Sequence, residues 1–306
     1  MSILVELPPQ LYSPVAFAAF DPASGFSIGN ARAMMWFSQL AYETGKPGTI
    51  AEVAPVWGFT AVTPFVRRNV AIAASFETCG LIGERPDAVV LAFAGTDPAV
   101  WETLATDINV RLTADRDTHI GFQSALDAVR PEIGQAVRQS RQSRPLFVTG
   151  HSLGGALAAL AAQHADGLPD AATPRAVYVY GMPRAGGVRF SAAYNATLGP
   201  FTYRLVHGQD IVARVPMSGL GYRHVGRVLA CGSGERFDAA ALSAAVTDEP
   251  QFSKALLDGV VGGIAGVFRG HILSPPGPGP VGPLLRFLPQ AIRDHLPDRY
   301  YGALAG

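Results

Sequence analysis

Leu146-Phe147-Val148-Thr149-Gly150-His151-Ser152-Leu153-Gly154-Gly155-Ala156-Leu157-Ala158-Ala159-Leu160 decides how this chain is read. Leu146-Phe147-Val148 is a short apolar run of strand type, and the segment from Gly155 onward is a good helix former. Between them Gly150-x-Ser152-x-Gly154 forces a tight turn. Such a turn holds its serine in a strained conformation, and the two glycines remove the Cβ atoms that would collide as strand and helix approach. Ser152 is then presented at a helix N-terminus, where the dipole favours a developing anion.

Outward from this segment, apolar runs alternate with helical patterns. Residues 70–76, 88–94, 145–148, 176–180 and 202–206 read as strands, the middle three apolar enough for burial on both faces. Helical patterns cover residues 31–42, 100–110, 122–139, 153–165 and 188–196. The alternation implies right-handed crossovers and a mostly parallel central sheet with helices on both faces, an α/β-hydrolase fold. The last third differs. Residues 237–245 and 252–268 look helical, Ser274-Pro275-Pro276-Gly277-Pro278-Gly279-Pro280 breaks regular structure, and a final helix is expected over 288–301. The flanks of that break are too short to fold alone. One domain over 1–306 is therefore expected, with a helical and loop insertion around 235–285 that could act as a cap.

Composition narrows the function classes. The 306 residues are 48% hydrophobic and 16% charged, with 24 basic and 24 acidic side chains, so a large core is within reach. Without net charge or a charge block, neither a nucleic-acid groove nor an anionic-membrane footprint is expected. No apolar stretch is long enough to span a bilayer. Cys79 and Cys231 show no metal or redox spacing, and two reduced thiols are favoured over a disulfide. No metal or cofactor is implied. Met1-Ser2-Ile3-Leu4-Val5-Glu6-Leu7-Pro8-Pro9 lacks the basic start and long apolar run of a secretory signal, which predicts a cytoplasmic chain.

A serine nucleophile needs a base, and the base needs an orienting carboxylate, in the chain order Ser, Asp/Glu, His. Asp210 directly follows the strand at 202–206, at the sheet edge where such sites assemble; its rival Asp258 lies inside an apolar helical stretch. His164 sits too far along the helix after Ser152, and His207 precedes the acid. His224, His271 and His295 remain as bases. Leu153 supplies one oxyanion N–H, and the loop after the strand at 89–94 puts Thr96 at the second donor position.

The quoted elbow resembles the nucleophile signature of the class 3 lipases, the family of the fungal triacylglycerol lipases and their bacterial and plant relatives. Phe93-Ala94-Gly95-Thr96 is similar to the family's Phe-Arg-Gly-Thr oxyanion segment, with Ala94 where the arginine usually stands. Trp101 and Asp107 match its Trp…Asp helix, and His119-Ile120-Gly121-Phe122 its His-x-Gly-Phe. Tyr180-Gly181-Met182-Pro183-Arg184-Ala185-Gly186 resembles its Gly-x-Pro-Arg-x-Gly turn. Arg204 through Pro216 resembles the aspartate segment, followed by Gly221-Tyr222-Arg223-His224. In the family the histidine of that last segment is not the base, which comes later; the resemblance therefore implies His295, in Asp294-His295-Leu296-Pro297-Asp298-Arg299-Tyr300-Tyr301. It also implies that Thr96 gives both its N–H and its hydroxyl, and that a lid follows at 97–104. A second candidate lid is 252–268.

The expected function is serine carboxylic ester hydrolysis through an acyl-enzyme, by a lipase acting on acylglycerols or similar lipid esters. The expected partners are a lipid or small-molecule ester and, transiently, a lipid interface. Phospholipase A1, a feruloyl-type esterase or an acyltransferase would use the same machinery on other substrates, and an inert binding protein is the non-enzymatic alternative.

Overall fold

The computed structural model describes residues 7–69, 76–95, 111–163, 173–244 and 289–305. Three central strands carry the architecture: β3 (Val89–Phe93), β4 (Leu146–His151) and β5 (Ala176–Tyr180), every residue of which is buried. Their side chains alternate between two cores, as the strand period of two requires. Val89, Leu91, Phe93, Leu146, Val148, Val177 and Val179 point to one face; Val90, Ala92, Phe147, Tyr178 and Tyr180 point to the other. A parallel sheet joined by crossover helices is covered on both faces, which is why these strands read as unbroken apolar runs.

The full sheet has seven strands. An antiparallel hairpin of β1 (Ala61–Asn69) and β2 (Phe76–Glu84) adds to β3, and the parallel strands continue through β7 (Thr202–His207) to β9 (Arg227–Cys231). Pro64 fits in β1 because that strand is an edge. A two-stranded ribbon pairs β6 (Gly186–Gly187) with β8 (Tyr222–Arg223). On one face lie α3 (Ile120–Arg141), α4 (Leu153–Gln163) and α5 (Val188–Thr197); α1 (Ile28–Leu40) covers the other, beside the short α2 (Pro47–Val53). The phenols of Tyr178 and Tyr180 donate to the carbonyls of Gly25 and Ala31, so the tyrosines on the α1 face bury their rings with their hydroxyls satisfied. Among the described residues no helix is long and apolar enough to cross a membrane, and Cys79 and Cys231 are free thiols.

Three expectations need correction. The hairpin and β9 were absent from the sequence reading; residues 70–75 of its first strand lie outside the described residues, as do 100–110, 252–268 and the proline-glycine run. Residues 237–244 form no helix beyond a 3₁₀ turn at Ala239–Ala241. There the Asp238 side chain caps Ala240 N–H at 2.9 Å, while Phe237 N–H and Ser243 N–H reach the carbonyls of Ala303 and Val228. These contacts override alanine's helix preference. The expected final helix is two, α6 (Gln290–Arg293) and α7 (Pro297–Ala303), split because Pro297 opens the second. His295 stands in the turn between them.

Candidate active site

β4 delivers Ser152 at φ 61°, left-handed backbone that a residue with a Cβ rarely adopts. The conformation is locked from both sides. Ser152 N–H donates to the Tyr180 carbonyl at 2.8 Å, and Gly155 N–H donates to the Ser152 carbonyl at 2.9 Å. A Cβ at Gly150 would lie 2.1 Å from the Gly154 carbonyl oxygen, and one at Gly154 would lie 2.2 Å from that of Phe93. The glycines of the turn thus answer to backbone on the opposite side. Leu153 opens α4, so its N–H has no acceptor one turn earlier. Thr96, the expected partner donor, lies outside the described residues, as do Trp101 and Asp107.

Three residues far apart in sequence converge on this turn. Asp210 follows β7 by three residues and is fully buried. Its Oδ1 accepts the Val212 N–H at 2.8 Å, and its two oxygens lie 3.0 and 2.9 Å from Nδ1 of His295. The other ring nitrogen of His295, Nε2, is 2.9 Å from Ser152 Oγ. A carboxylate can only accept, so Nδ1 carries the proton and Nε2 offers its lone pair to the serine hydroxyl. Burial opposes ionisation of Asp210, yet His295 and the Tyr300 hydroxyl outweigh it and hold the carboxyl below its usual range.

The remaining histidines have other duties. His224 Nε2–H donates to the Ala213 carbonyl at 2.7 Å within the core, and burial holds it well below its usual pKa. His119 caps α3: its Nδ1 accepts the N–H of Gly121 at 3.1 Å and of Phe122 at 3.4 Å, and burial pushes its pKa down to about 4. His164 and His271 lie outside the described residues. His295 is thus the histidine that the structure brings to Ser152 and Asp210, among the described residues.

Several participants carry no signal in the sequence. Tyr300 donates its hydroxyl to Oδ2 of Asp210 and accepts the His207 N–H at 3.2 Å. Asp294 anchors the turn before His295: its Oδ2 accepts Gln209 N–H at 2.8 Å and the Ser233 hydroxyl at 2.6 Å. Gly181, at φ 57°, would place a Cβ 2.5 Å from Asp210 Oδ2 and 2.8 Å from His295 Nδ1. His151 stacks on His295 with ring centroids 4.7 Å apart. All four were quoted in motifs, but nothing in a motif says which atoms meet. Among the described residues no cluster of three histidine, cysteine or acidic side chains could hold a metal ion.

Residues 90–219, which contain the elbow and Asp210, match the family described as lipase (class 3). Over that stretch the chain is similar to the class 3 lipases. A secreted mono- and diacylglycerol lipase from Fusarium solani is 40% identical over 155 residues, 44% of this chain and 45% of the relative. One from Penicillium cyclopium is 35% identical over 146 residues, 45% of this chain and 46% of the relative. The chain thus spans less than half the length of these curated relatives. Lipase II from Rhizopus niveus superposes with a TM-score of 0.54 at 21% identity, over 71% of this chain and 86% of that one, a likeness of fold.

These relatives correct one expectation. The Fusarium and Penicillium lipases carry the word secreted in their names, which overturns the cytoplasmic location inferred from the N-terminal residues.

The class 3 motifs acquire physical roles here. Arg184 of the Gly-x-Pro-Arg turn is fully buried; its backbone N–H donates to the Val215 carbonyl and its guanidinium to those of Arg214 and Pro216. It ties the turn that carries Gly181 to the segment that carries Asp210.

Proposed function

We propose that the chain is a serine carboxylic ester hydrolase, a lipase acting on acylglycerols, with Ser152 as nucleophile, His295 as base and Asp210 as the carboxylate that orients it. One observation carries the reading: a single imidazole lies 2.9 Å from Ser152 Oγ through Nε2 and 2.9 Å from a buried carboxylate through Nδ1. That is the geometry of an activated nucleophile whose base is fixed by a third group.

The chemistry follows from the protonation states. His295 Nε2 takes the hydroxyl proton as Oγ attacks the ester carbonyl carbon. The imidazolium is stabilised by Asp210, which stays ionised. Leu153 N–H and the backbone and hydroxyl of Thr96 receive the oxyanion, each such donor lowering the barrier by about 3 kcal/mol. His295 then gives its proton to the departing alkoxide, and water, activated by the same ring, releases the acid and restores Ser152.

The names of the relatives support mono- and diacylglycerols as the substrates. The continuous seven-stranded sheet supports reading the chain as one domain. Hydrolysis of mono-, di- and triolein and tributyrin, set beside p-nitrophenyl ferulate and a phosphatidylcholine, tests the proposal. Wild type should release fatty acid from the glycerides, and Ser152→Ala should release none. Equal, negligible rates for both on every glyceride would refute it.

A further inference from the structure

We infer that Tyr42 and His151 form a positioning pair that holds the base His295 in register with Ser152 and links it to the oxyanion strand; the inference rests on Ser152 and His295 being nucleophile and base. His151 fills the first of the two open positions of the Gly-x-Ser-x-Gly turn, and it is buried to 2% exposure. Both its ring nitrogens are engaged. Nε2 lies 2.8 Å from the main-chain carbonyl of His295, which can only accept, so Nε2 carries the proton. In a neutral ring Nδ1 is then an acceptor, and the Tyr42 hydroxyl donates to it at 2.8 Å. The same hydroxyl is hydrogen-bonded by the Gly95 backbone, one residue before Thr96, and a Cβ at Gly95 would lie 2.3 Å from it.

The chain of contacts therefore runs from Gly95 through Tyr42 and His151 to the carbonyl of His295. It joins the loop after β3, the 3₁₀ turn that follows α1, the elbow and the base. Packing alone would be met by any apolar ring at 151. What this ring adds is direction: one face stacks on His295 at an interplanar angle of 28°, and its N–H fixes the backbone of the same residue.

The ring must also stay uncharged. When His295 takes the serine proton it becomes a cation, and a second cation stacked on it would oppose that step. The groups facing His151 are His295, Asp210, Tyr42 and Tyr300, the last with its ring 5.6 Å away. Burial, with His295 adding to it, pushes His151 down to about 3 and outweighs Asp210. His151 is thus a polar positioning group that gains no charge during turnover.

Tyr42→Phe tests this by removing the hydroxyl while keeping the ring. Losing its only donor frees Nδ1 to take the proton, which would turn a lone pair toward the His295 carbonyl. A fluorophosphonate reads Ser152 activation directly, and p-nitrophenyl butyrate separates kcat from KM. Labelling rate and kcat should fall about tenfold to a hundredfold, with KM changing by less than about twofold. A labelling rate and kcat within about twofold of wild type would overturn the pair's role. Failure of wild type to label at all would instead sink the nucleophile reading on which it rests. Nitrogen-15 NMR of the wild-type histidine rings needs no variant: His151 should be the Nε2–H tautomer with no titration between about pH 5 and 8. An Nδ1–H tautomer, or titration within that range, would overturn it.

Discussion

The Tyr300 hydroxyl donates to Oδ2 of Asp210, the oxygen that His295 Nδ1 approaches at 2.9 Å. The acid thus meets two donors from one short segment, since Tyr300 lies five residues beyond the base. Hydrogen bonds to a buried charge contribute about 1.5–3 kcal/mol. Tyr300→Phe should therefore cost that much stability in urea unfolding. It should also lower kcat about tenfold, because Asp210 must answer a full imidazolium in the transition state. An unchanged kcat would show that the phenol only packs.

Gly181 is held at φ 57° with its missing Cβ aimed at Asp210 and His295. Gly181→Ala should reduce kcat by about a hundredfold, the effect of displacing a catalytic group by roughly an ångström. Gly221→Ala is the control. It shares the left-handed backbone, at φ 87°, but opens onto empty space. It should cost about 1–2 kcal/mol in stability with activity retained.

The strain at Ser152, φ 61°, is set against stability. Ser152→Gly should abolish hydrolysis yet raise the unfolding free energy by about 0.5–1 kcal/mol, less than the full strain because glycine also gains freedom when unfolded. Ser152→Ala keeps its Cβ and should show no such gain. Paired denaturant curves decide.

Burial holds His119 at about 4 and His151 at about 3, and places His224 well below its usual value. For a histidine with a depressed folded pKa, the unfolded chain binds the extra proton. Stability is therefore complete above about pH 6.5 and is lost as pH falls from there toward the folded values. Asp210, also depressed, has the same sign, but its contribution is lost only below the usual carboxylate range. His119→Asn keeps a capping acceptor on α3 without the titration. It should flatten the slope between pH 6 and 4.5 by up to about 1.4 kcal/mol per pH unit. Parallel slopes for the two proteins would contradict the assignment.

Much of this is legible in the sequence. The central strands bury both faces, so their apolar runs marked them, and the elbow declared itself because two backbones cross where Gly150 and Gly154 lie. The β1–β2 hairpin was not legible: an edge strand containing Pro64, Arg67 and Arg68 lacks the apolar signal of its buried neighbours. Ser152 and Asp210 could be placed by position relative to strands. The base could not, since residues alone left His224, His271 and His295 open, and the resemblance chose His295. What separates His224 from His295 is tertiary: one ring is spent on the Ala213 carbonyl, the other faces Ser152 and Asp210. Tyr300, Tyr42 and His151 were invisible as partners for the same reason, for their bonds cross 90, 109 and 144 residues of chain.

The proposed roles of Ser152 as nucleophile and His295 as base make one comparison decisive. Tributyrin hydrolysis by purified His295→Ala and His224→Asn, with unfolding curves recorded for each, tests them most directly. His295→Ala should remain folded and lose kcat by roughly 10⁴- to 10⁶-fold, the scale of removing a triad base. His224→Asn should lose stability while its folded fraction turns over at close to the wild-type rate. A folded His295→Ala protein that hydrolyses tributyrin at the wild-type rate would contradict the account.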